Sequence, residues 1–504
     1  MNSITKNIIT FLVGMILPFQ SIQAQLYDNS FNENGVWTRH LRYSDNLTSI
    51  YLQPDGKILY SGSTADSNSS SSHFAIGRIT STGINDSTFN ADGEVEYVFN
   101  TSGYEGANDI CYLNGKIYAV GLNESITTIS NLLVRLNDNG SLDATFNGTG
   151  KLSPVIESNE NESNAVFITS DSNIVVLGNS SSNSSVFNLS GFKVDQNANF
   201  VNSFGNNGVT TLNVINTVYS SSQATILSSN TIFLISGKDL IKIKSNGHLD
   251  STFGTNGIID LTSVSSTTMS GIAVQKDGKI VLCGAGNSSQ FSVFRLNTDG
   301  SIDITFGTNG NIIVPFGGVS SEASTLVIDT STVNGNIFVA GNSSYNGGAS
   351  SFIALVRLNP VDGSIEAQAE FKPNNLNSQA VEILLQPNGN LVIGAKASGG
   401  NSNLEFIITR IVPNFATLIA TNIEDAANIS NSVHLYPNPA SQNVTVNSIY
   451  NIQEIKVLDV LGNEVLNQKA NGNTQINVSS LPKGLYNFVI TTDKGTGSKK
   501  VSVQ

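Results

Sequence analysis

Residues 303–312 read DITFGTNGNI, and the same phrase returns as DSTFNADGEV at 86–95, DATFNGTGKL at 143–152 and DSTFGTNGII at 250–259. Weaker copies are DNSFNENGVW at 28–37 and VNSFGNNGVT at 201–210. The recurring aromatics are Phe31, Phe89, Phe146, Phe204, Phe253 and Phe306, with a degenerate seventh at Phe371, at gaps of 58, 57, 58, 49, 53 and 65 residues. A period of this size means stacked copies of one small unit.

Each copy carries four short segments rich in Val, Ile, Leu and aromatics, divided by Gly, Asn, Asp and Ser. In the second copy they are Glu94–Phe99, Asn108–Leu113, Lys116–Leu122 and Leu132–Asn137. Such runs read as β-strands. A turn separates the second and third segments at Asp55-Gly56, Asn114-Gly115, Asp277-Gly278, Asn334-Gly335 and Asn388-Gly389. Asp-Gly and Asn-Gly predict a two-residue hairpin, which needs positive φ at both positions. A glycine near the end of the third segment (Gly62, Gly121, Gly178, Gly284, Gly341) predicts close backbone approach. The fourth segment centres on a basic residue in seven copies: Arg78, Arg135, Lys193, Lys242, Arg295, Arg357 and Arg410. Seven units of four short strands predict an all-β fold, a seven-bladed β-propeller spanning 25–420. The strand after Phe31 is expected to close the ring by pairing near Leu404–Val412.

The bulk properties narrow the function. At 504 residues the chain exceeds one ordinary core. Hydrophobic residues make up 39%, but charged residues only 12%, about half the usual share. The net charge of −13 argues against nucleic acid as a partner, because no basic face is available to neutralise phosphates. Lys6 followed by the apolar run Ile8–Phe19 and the small residue Ala24 predicts a cleaved signal peptide at 1–24. No later run of apolar residues is long enough for a transmembrane helix. The two cysteines, Cys111 and Cys283, fall at different places in distant repeats and are expected to be buried free thiols.

The xDGKIxxxG turn, the RLNxDGSLDxTFG stretch and the period resemble the delta-60 repeat of bacterial exported proteins. That resemblance implies a fold, not an activity. A polar linker follows at 421–432, and the segment 433–504 breaks the repeat. Its alternating strands predict a small Ig-like β-sandwich. Tyr436-Pro437-Asn438-Pro439, Leu481-Pro482-Lys483-Gly484-Leu485-Tyr486 and Lys499-Lys500 resemble the type A C-terminal sorting domain of the type IX secretion system of Bacteroidetes-type bacteria. This implies recognition by that machinery, with Tyr436, Pro437, Asn438, Pro439, Gly484, Tyr486, Lys499 and Lys500 as the sorting motif, and a secreted or surface-attached product.

Within the repeat, Arg78, Arg135, Lys242 and Arg295 each precede an Asp by eight residues: Asp86, Asp143, Asp250 and Asp303. The turn between them can bring each pair together, which predicts one internal ion pair per unit. The competing reading is a ring of cations lining the channel. Asp and Asn of the turns offer oxygen ligands for calcium, but the spacing departs from an EF-hand and turn chemistry already explains them. No catalytic residue, cofactor or metal site is expected. The four histidines, His40, His73, His248 and His434, form no metal or catalytic motif in sequence. The reading is a non-catalytic adhesion or binding module for glycan or protein, using Asn/Ser-rich loops at Thr64–Ser72, Asn179–Ser185 and Gly341–Ser350. The alternative is an extracellular polysaccharide hydrolase or lyase on the same scaffold.

Overall fold

The structure, a computed structural model, describes residues 26–67, 71–99, 103–125, 128–183, 186–216, 224–263, 269–286, 290–345, 348, 350–398, 403–415, 433–448, 450–459, 464–492 and 495–504. The expected signal peptide and linker lie outside them, as do 68–70, 184–185, 346–347 and 349 of the expected binding loops. No helix among the described residues is long and apolar enough to cross a membrane.

The repeats fold into a β-propeller. Its first blade consists of Ser44–Leu52, Ile58–Ala65, Ser72–Ile79 and Glu94–Tyr97, paired antiparallel in that order. Further four-strand units of the same plan follow among the described residues, two of them joined into one eight-stranded sheet where Glu160 pairs with Ile129, and the last one built from Asn377–Leu385, Leu391–Ser398, Leu404–Ile411 and Val36–Arg39. That last sheet closes the ring. Val36 pairs with Thr409 and Arg39 with Phe406, so the N-terminal strand supplies the outer edge of the final blade. Without it the Leu404–Ile411 strand would present unpaired backbone groups.

Antiparallel order sorts the connections onto two faces. Hairpins between first and second strands, and the turns carrying the repeated phrase, lie on one face, here the turn face. Loops between second and third strands, and links to the next blade, lie on the other, the loop face. Apolar residues from neighbouring blades meet between the sheets. Phe31, Trp37, Leu47, Tyr60, Val392 and Phe406 form one such layer across the closure. Cys111 and Cys283 are buried and free.

Two glycines show what the repeat needs. Gly83 has φ +81°, and a Cβ there would lie 2.8 Å from the Phe31 ring, so the phenylalanine of one blade nests under the turn of the next. A Cβ on Gly121 would lie 1.9 Å from the Gly106 carbonyl oxygen, because the first strand bulges toward it. Such a bulge breaks the register between Leu47 and Ser49, Ala107 and Asp109, Ser163 and Ala165, Met269 and Gly271, Ala323 and Thr325, and Ala380 and Glu382.

Two expectations need correction. Only Asn114-Gly115 is a two-residue hairpin, with φ of 49° and 79°. At Asp55-Gly56 and Asn388-Gly389 only the glycine has positive φ, and the loop is longer: Gly56 N–H bonds Gln53 O at 2.9 Å while Gln53 N–H bonds Lys57 O at 2.8 Å. Pro54 and Pro387 fix φ near −65°, which excludes the mirror-image turn. Phe371 is not the seventh copy of the repeated aromatic. It ends the strand Ile365–Phe371 and meets Tyr27 edge-on at 5.7 Å. The turn before that strand is too short to hold the TF phrase, and Phe415 instead lies 5.6 Å from the Arg357 guanidinium.

The C-terminal segment forms two sheets. One joins His434–Tyr436, Asn443–Asn447 and Thr474–Asn477; the other orders Glu464–Lys469, Ile452–Leu458, Gly484–Thr492 and Gly495–Val503. Val444, Val446 and Ile476 from the first pack with Ile455, Val457, Phe488 and Val501 from the second.

Candidate functional site

On the turn face the repeated charges are joined to one another. Arg78 Nε lies 2.7 Å from Asp86 Oδ2, Arg135 Nη2 2.8 Å from Asp143 Oδ2, Lys242 Nζ 3.0 Å from Asp250 Oδ2 and Arg295 Nε 2.7 Å from Asp303 Oδ2. A second cation joins three of them: Lys57 on Asp86 at 3.0 Å, and Lys116 on Asp143 and Lys279 on Asp303 at 2.8 Å each. The other carboxylate oxygen accepts the Thr88, Thr145, Thr252 or Thr305 hydroxyl two residues on. Each arginine then crosses to the next blade: Arg78 to Asp138, Arg135 to the Gln196 carbonyl, and Arg295 to the Pro360 and Val361 carbonyls. Arg410 reaches Ser81 O at 2.6 Å and so sews the last blade to the first. Where Val201 replaces the Asp, Lys193 turns to Asp171 at 3.1 Å. Burial opposes ionisation of Asp86, yet hydrogen bonds from Thr88 and Lys57 and the Arg78 charge bring its pKa down to about 2. Asp143 and Asp303 are held lower still, against burial, by Lys116 and Thr145 or by Lys279 and Thr305, with the arginine behind. These cations therefore sit between blades rather than facing the channel, and the oxygens offered for calcium are already bonded. Among the described residues no three His, Cys, Asp or Glu side chains form a metal-holding group.

The channel holds a different kind of carboxylate. Just past the bulge of the first strand the blades read Thr48-Ser49-Ile50, Asn108-Asp109-Ile110, Asn164-Ala165-Val166, Ser270-Gly271-Ile272, Ser324-Thr325-Leu326 and Val381-Glu382-Ile383. Only two carry an acid at the middle position. Asp109 Oδ2 accepts the Val166 N–H of the next blade at 2.8 Å, and Glu382 Oε2 accepts the Ile50 N–H at 2.7 Å. Ser49 Oγ lies 2.9 Å from both Asp109 Oδ1 and Glu382 Oε2. One hydroxyl hydrogen cannot serve two ionised carboxylates. Burial, then the Asp109 charge, pushes Glu382 up to about 8, and burial pushes Asp109 up to about 6. The two acids bridged by Ser49 therefore hold a proton to higher pH than ordinary carboxylates do.

At the loop face over the closure lies a cluster that the sequence reading missed. Arg42 Nε bonds Glu96 Oε1 at 2.8 Å and its Nη1 bonds Asp66 Oδ1 at 2.7 Å. His73 Nδ1 is 3.8 Å from the same Glu96 oxygen. Arg39 grips Glu94 with Nε 3.0 Å from both oxygens, and Tyr60 OH donates to Glu94 at 3.2 Å. Asp45 accepts the Leu41 and Arg42 N–H groups at 2.6 and 3.1 Å, and burial still raises its pKa to about 6. A signal was present. Of the seven arginines in the sequence, five occupy the repeat, and the other two stand together in Thr38-Arg39-His40-Leu41-Arg42-Tyr43. His248 and His434 lie on other elements, exposed.

In the C-terminal domain Asn438 joins separate blocks of the expected motif. Its Nδ2 donates to Lys500 O and its Oδ1 accepts Ser502 N–H, both at 2.9 Å. Asn447 Nδ2 donates to Tyr436 OH at 2.8 Å, and Tyr486 OH donates to Pro482 O at 2.8 Å. Pro437 and Pro439 flank Asn438, Gly484 pairs with Val503, and Lys499 and Lys500 pair with Phe488 and Asn487.

Comparison with known proteins fits both regions. The family model described as a secretion system C-terminal sorting domain matches residues 434–504. The model described as a domain of unknown function (DUF5122) beta-propeller matches 53–89, 114–146, 275–306 and 334–368. The chain is thus an exported β-propeller protein. More particularly, it carries a type IX secretion sorting domain, which sends it to the cell surface or the medium and implies contact with that machinery. No curated protein matches the sequence. Among solved structures, it is similar to PorZ of Porphyromonas gingivalis, a surface component of the type IX secretion system (13% identity, 91% of this chain and 70% of that one, TM-score 0.33). It is also similar to Sqt1 of Chaetomium thermophilum (10%, 80% and 94%, 0.42) and to the NanB sialidase of Streptococcus pneumoniae (11%, 75% and 69%, 0.38). Likeness at these values carries no argument about activity.

Proposed function

We propose that the propeller is a non-catalytic binding module whose ligand, a glycan or protein, docks on the loop face. The observation that supports this is the division of labour between the faces. The turn face repeats one phrase and ties its charges together, whereas the loop face differs from blade to blade and carries Arg39, His40, Arg42, Tyr43 and Tyr104, which no repeat shares. A hydrolase would need an acid and a partner base free to reach a substrate. The channel pair Asp109 and Glu382 is instead tied to Ser49 and to backbone N–H groups.

The test compares charged substitutions on the two faces of the full chain. Val155 and Val319 on the loop face are 77% and 74% exposed, and Ile84 and Val333 on the turn face are 54% and 58% exposed. In a glycan-array and pull-down screen, Val155→Glu and Val319→Glu should reduce capture, while Ile84→Glu and Val333→Glu should not. The reverse pattern would sink the proposal.

A further inference from the structure

Resting on that loop-face reading, we propose that the strip running from Tyr43 to Tyr104 is a saccharide site for neutral or amine-bearing sugars. Tyr43 and Tyr104 are 51% and 49% exposed, and each immediately precedes the first strand of its blade, Ser44–Leu52 and Glu105–Leu113. Among the described links, others have Asn159, Val319 and Leu376 at this place, so an exposed aromatic there sets these two neighbouring blades apart from them. Polar contacts between chain neighbours of the two tyrosines run from one toward the other. Arg42, beside Tyr43, binds Glu96, and Glu96 faces His73. Ser72, beside His73, donates to Glu105 O at 2.7 Å and accepts Glu105 N–H at 3.0 Å, which fixes Tyr104 at the far end.

The chemistry between the rings selects the ligand. A tyrosine ring is a rigid amphipathic platform that is ordered at little entropic cost. It suits the apolar C–H face of a pyranose. Between the two lie planar polar groups, Arg42, Asp66 and Glu96, that match hydroxyls better than an apolar side chain, the usual anchor of a protein partner. One arginine stands against two carboxylates there, in a chain of net charge −13. A uronate, sulfate or sialate would meet repulsion, whereas a hydroxyl or ammonium would not.

Affinity electrophoresis and calorimetry on the full chain provide the test, with mannan, laminarin, xylan and chitosan oligosaccharides as probes and alginate and heparin as anionic controls. At least one neutral or amino probe should bind, and Tyr43→Ala or Tyr104→Ala should each weaken it about tenfold or more. Tyr43→Phe should bind as the parent does, and an unchanged melting temperature shows that the fold is intact. Binding restricted to alginate or heparin overturns the proposal. So does binding of a neutral probe that both alanine variants retain. Capture of a protein on the loop face with no saccharide bound overturns the saccharide site and leaves the loop-face reading standing. Capture confined to the turn face overturns both.

Discussion

Asp303 and Glu382 are both enclosed carboxylates of one propeller, yet their proton affinities are pulled in opposite directions. Asp303 lies within reach of Arg295, Lys279 and Thr305, and its pKa falls. Glu382 has a backbone N–H, a hydroxyl and another carboxylate for neighbours, and its pKa rises to about 8. The difference follows position in the repeat. An acid that the unit repeats comes with the cation that its own blade supplies. An acid that a single blade adds to the channel has no such partner. Repetition within one chain thus separates acids neutralised by a cation of their own blade from acids held by a hydroxyl and backbone N–H groups across blades.

The comparison can be broken most severely at the closure, where both kinds of acid depend on a sealed ring. Deleting residues 26–42 removes Val36–Arg39 and the Arg39–Glu94 grip. It should abolish the cooperative unfolding transition of the propeller, followed by circular dichroism against urea. A parent-like transition would mean that the ring is sealed elsewhere.

Next in size is Arg295→Met. It takes one of two cations from Asp303 and frees the Pro360 and Val361 carbonyls; because Lys279 stays on the carboxylate, the cost should fall below the roughly 3–5 kcal/mol of an uncompensated buried charge. Replacing Arg295 and Asp303 together by apolar residues should cost less than the single change in denaturant unfolding. Equal costs would show that the carboxylate is not the source of the penalty.

The acids also set opposite pH dependences. Glu382 keeps its proton in the fold to about pH 8 against an ordinary value of 4.5, so the native state binds more protons across that window. Stability should therefore fall as pH rises from about 4.5 to 8 and level off above, by at most about 1.4 kcal/mol per pH unit for one group. Glu382→Gln should make this slope shallower. Asp86 works the other way. Its pKa of about 2 lies below the ordinary 3.8, so its contribution is present above 3.8 and is lost as the pH drops toward 2. Unfolding series between pH 2 and 9 should show both limbs, and an unchanged slope in Glu382→Gln would refute the proton held in the channel.

The smallest effect is expected at Lys242. Its side chain is 23% exposed and that of Asp250 15%, so water screens the pair more than the arginine pairs. Lys242→Met should cost about 1 kcal/mol or less, on the scale of surface pairs. A loss as large as that of Arg295→Met would remove burial as the reason for ranking them.

The repeated pairs were legible because an interval of eight residues across a tight turn brings them together whatever the rest of the chain does. The hairpins were legible only in part, since Pro54 and Pro387 impose a turn that the Asp-Gly and Asn-Gly signal alone does not specify. Phe371 was misplaced because its spacing resembled the period while its turn lacked the phrase. The channel acids and the Tyr43–Tyr104 strip escaped for a different reason. Ser49 and Glu382 are 333 positions apart, and nothing local relates them.

By itself, then, the sequence determined the β-rich repeating unit, the closing strand, the internal charge pairs and the export domain, because each rests on local spacing or on a motif with its own chemistry. Only the tertiary structure decided which face is tied up by its own charges, which acids one hydroxyl bridges and which exposed rings stand on neighbouring blades. Those properties arise when blades pack side by side, and ring closure in particular joins Ser49 to Glu382, which the chain keeps far apart.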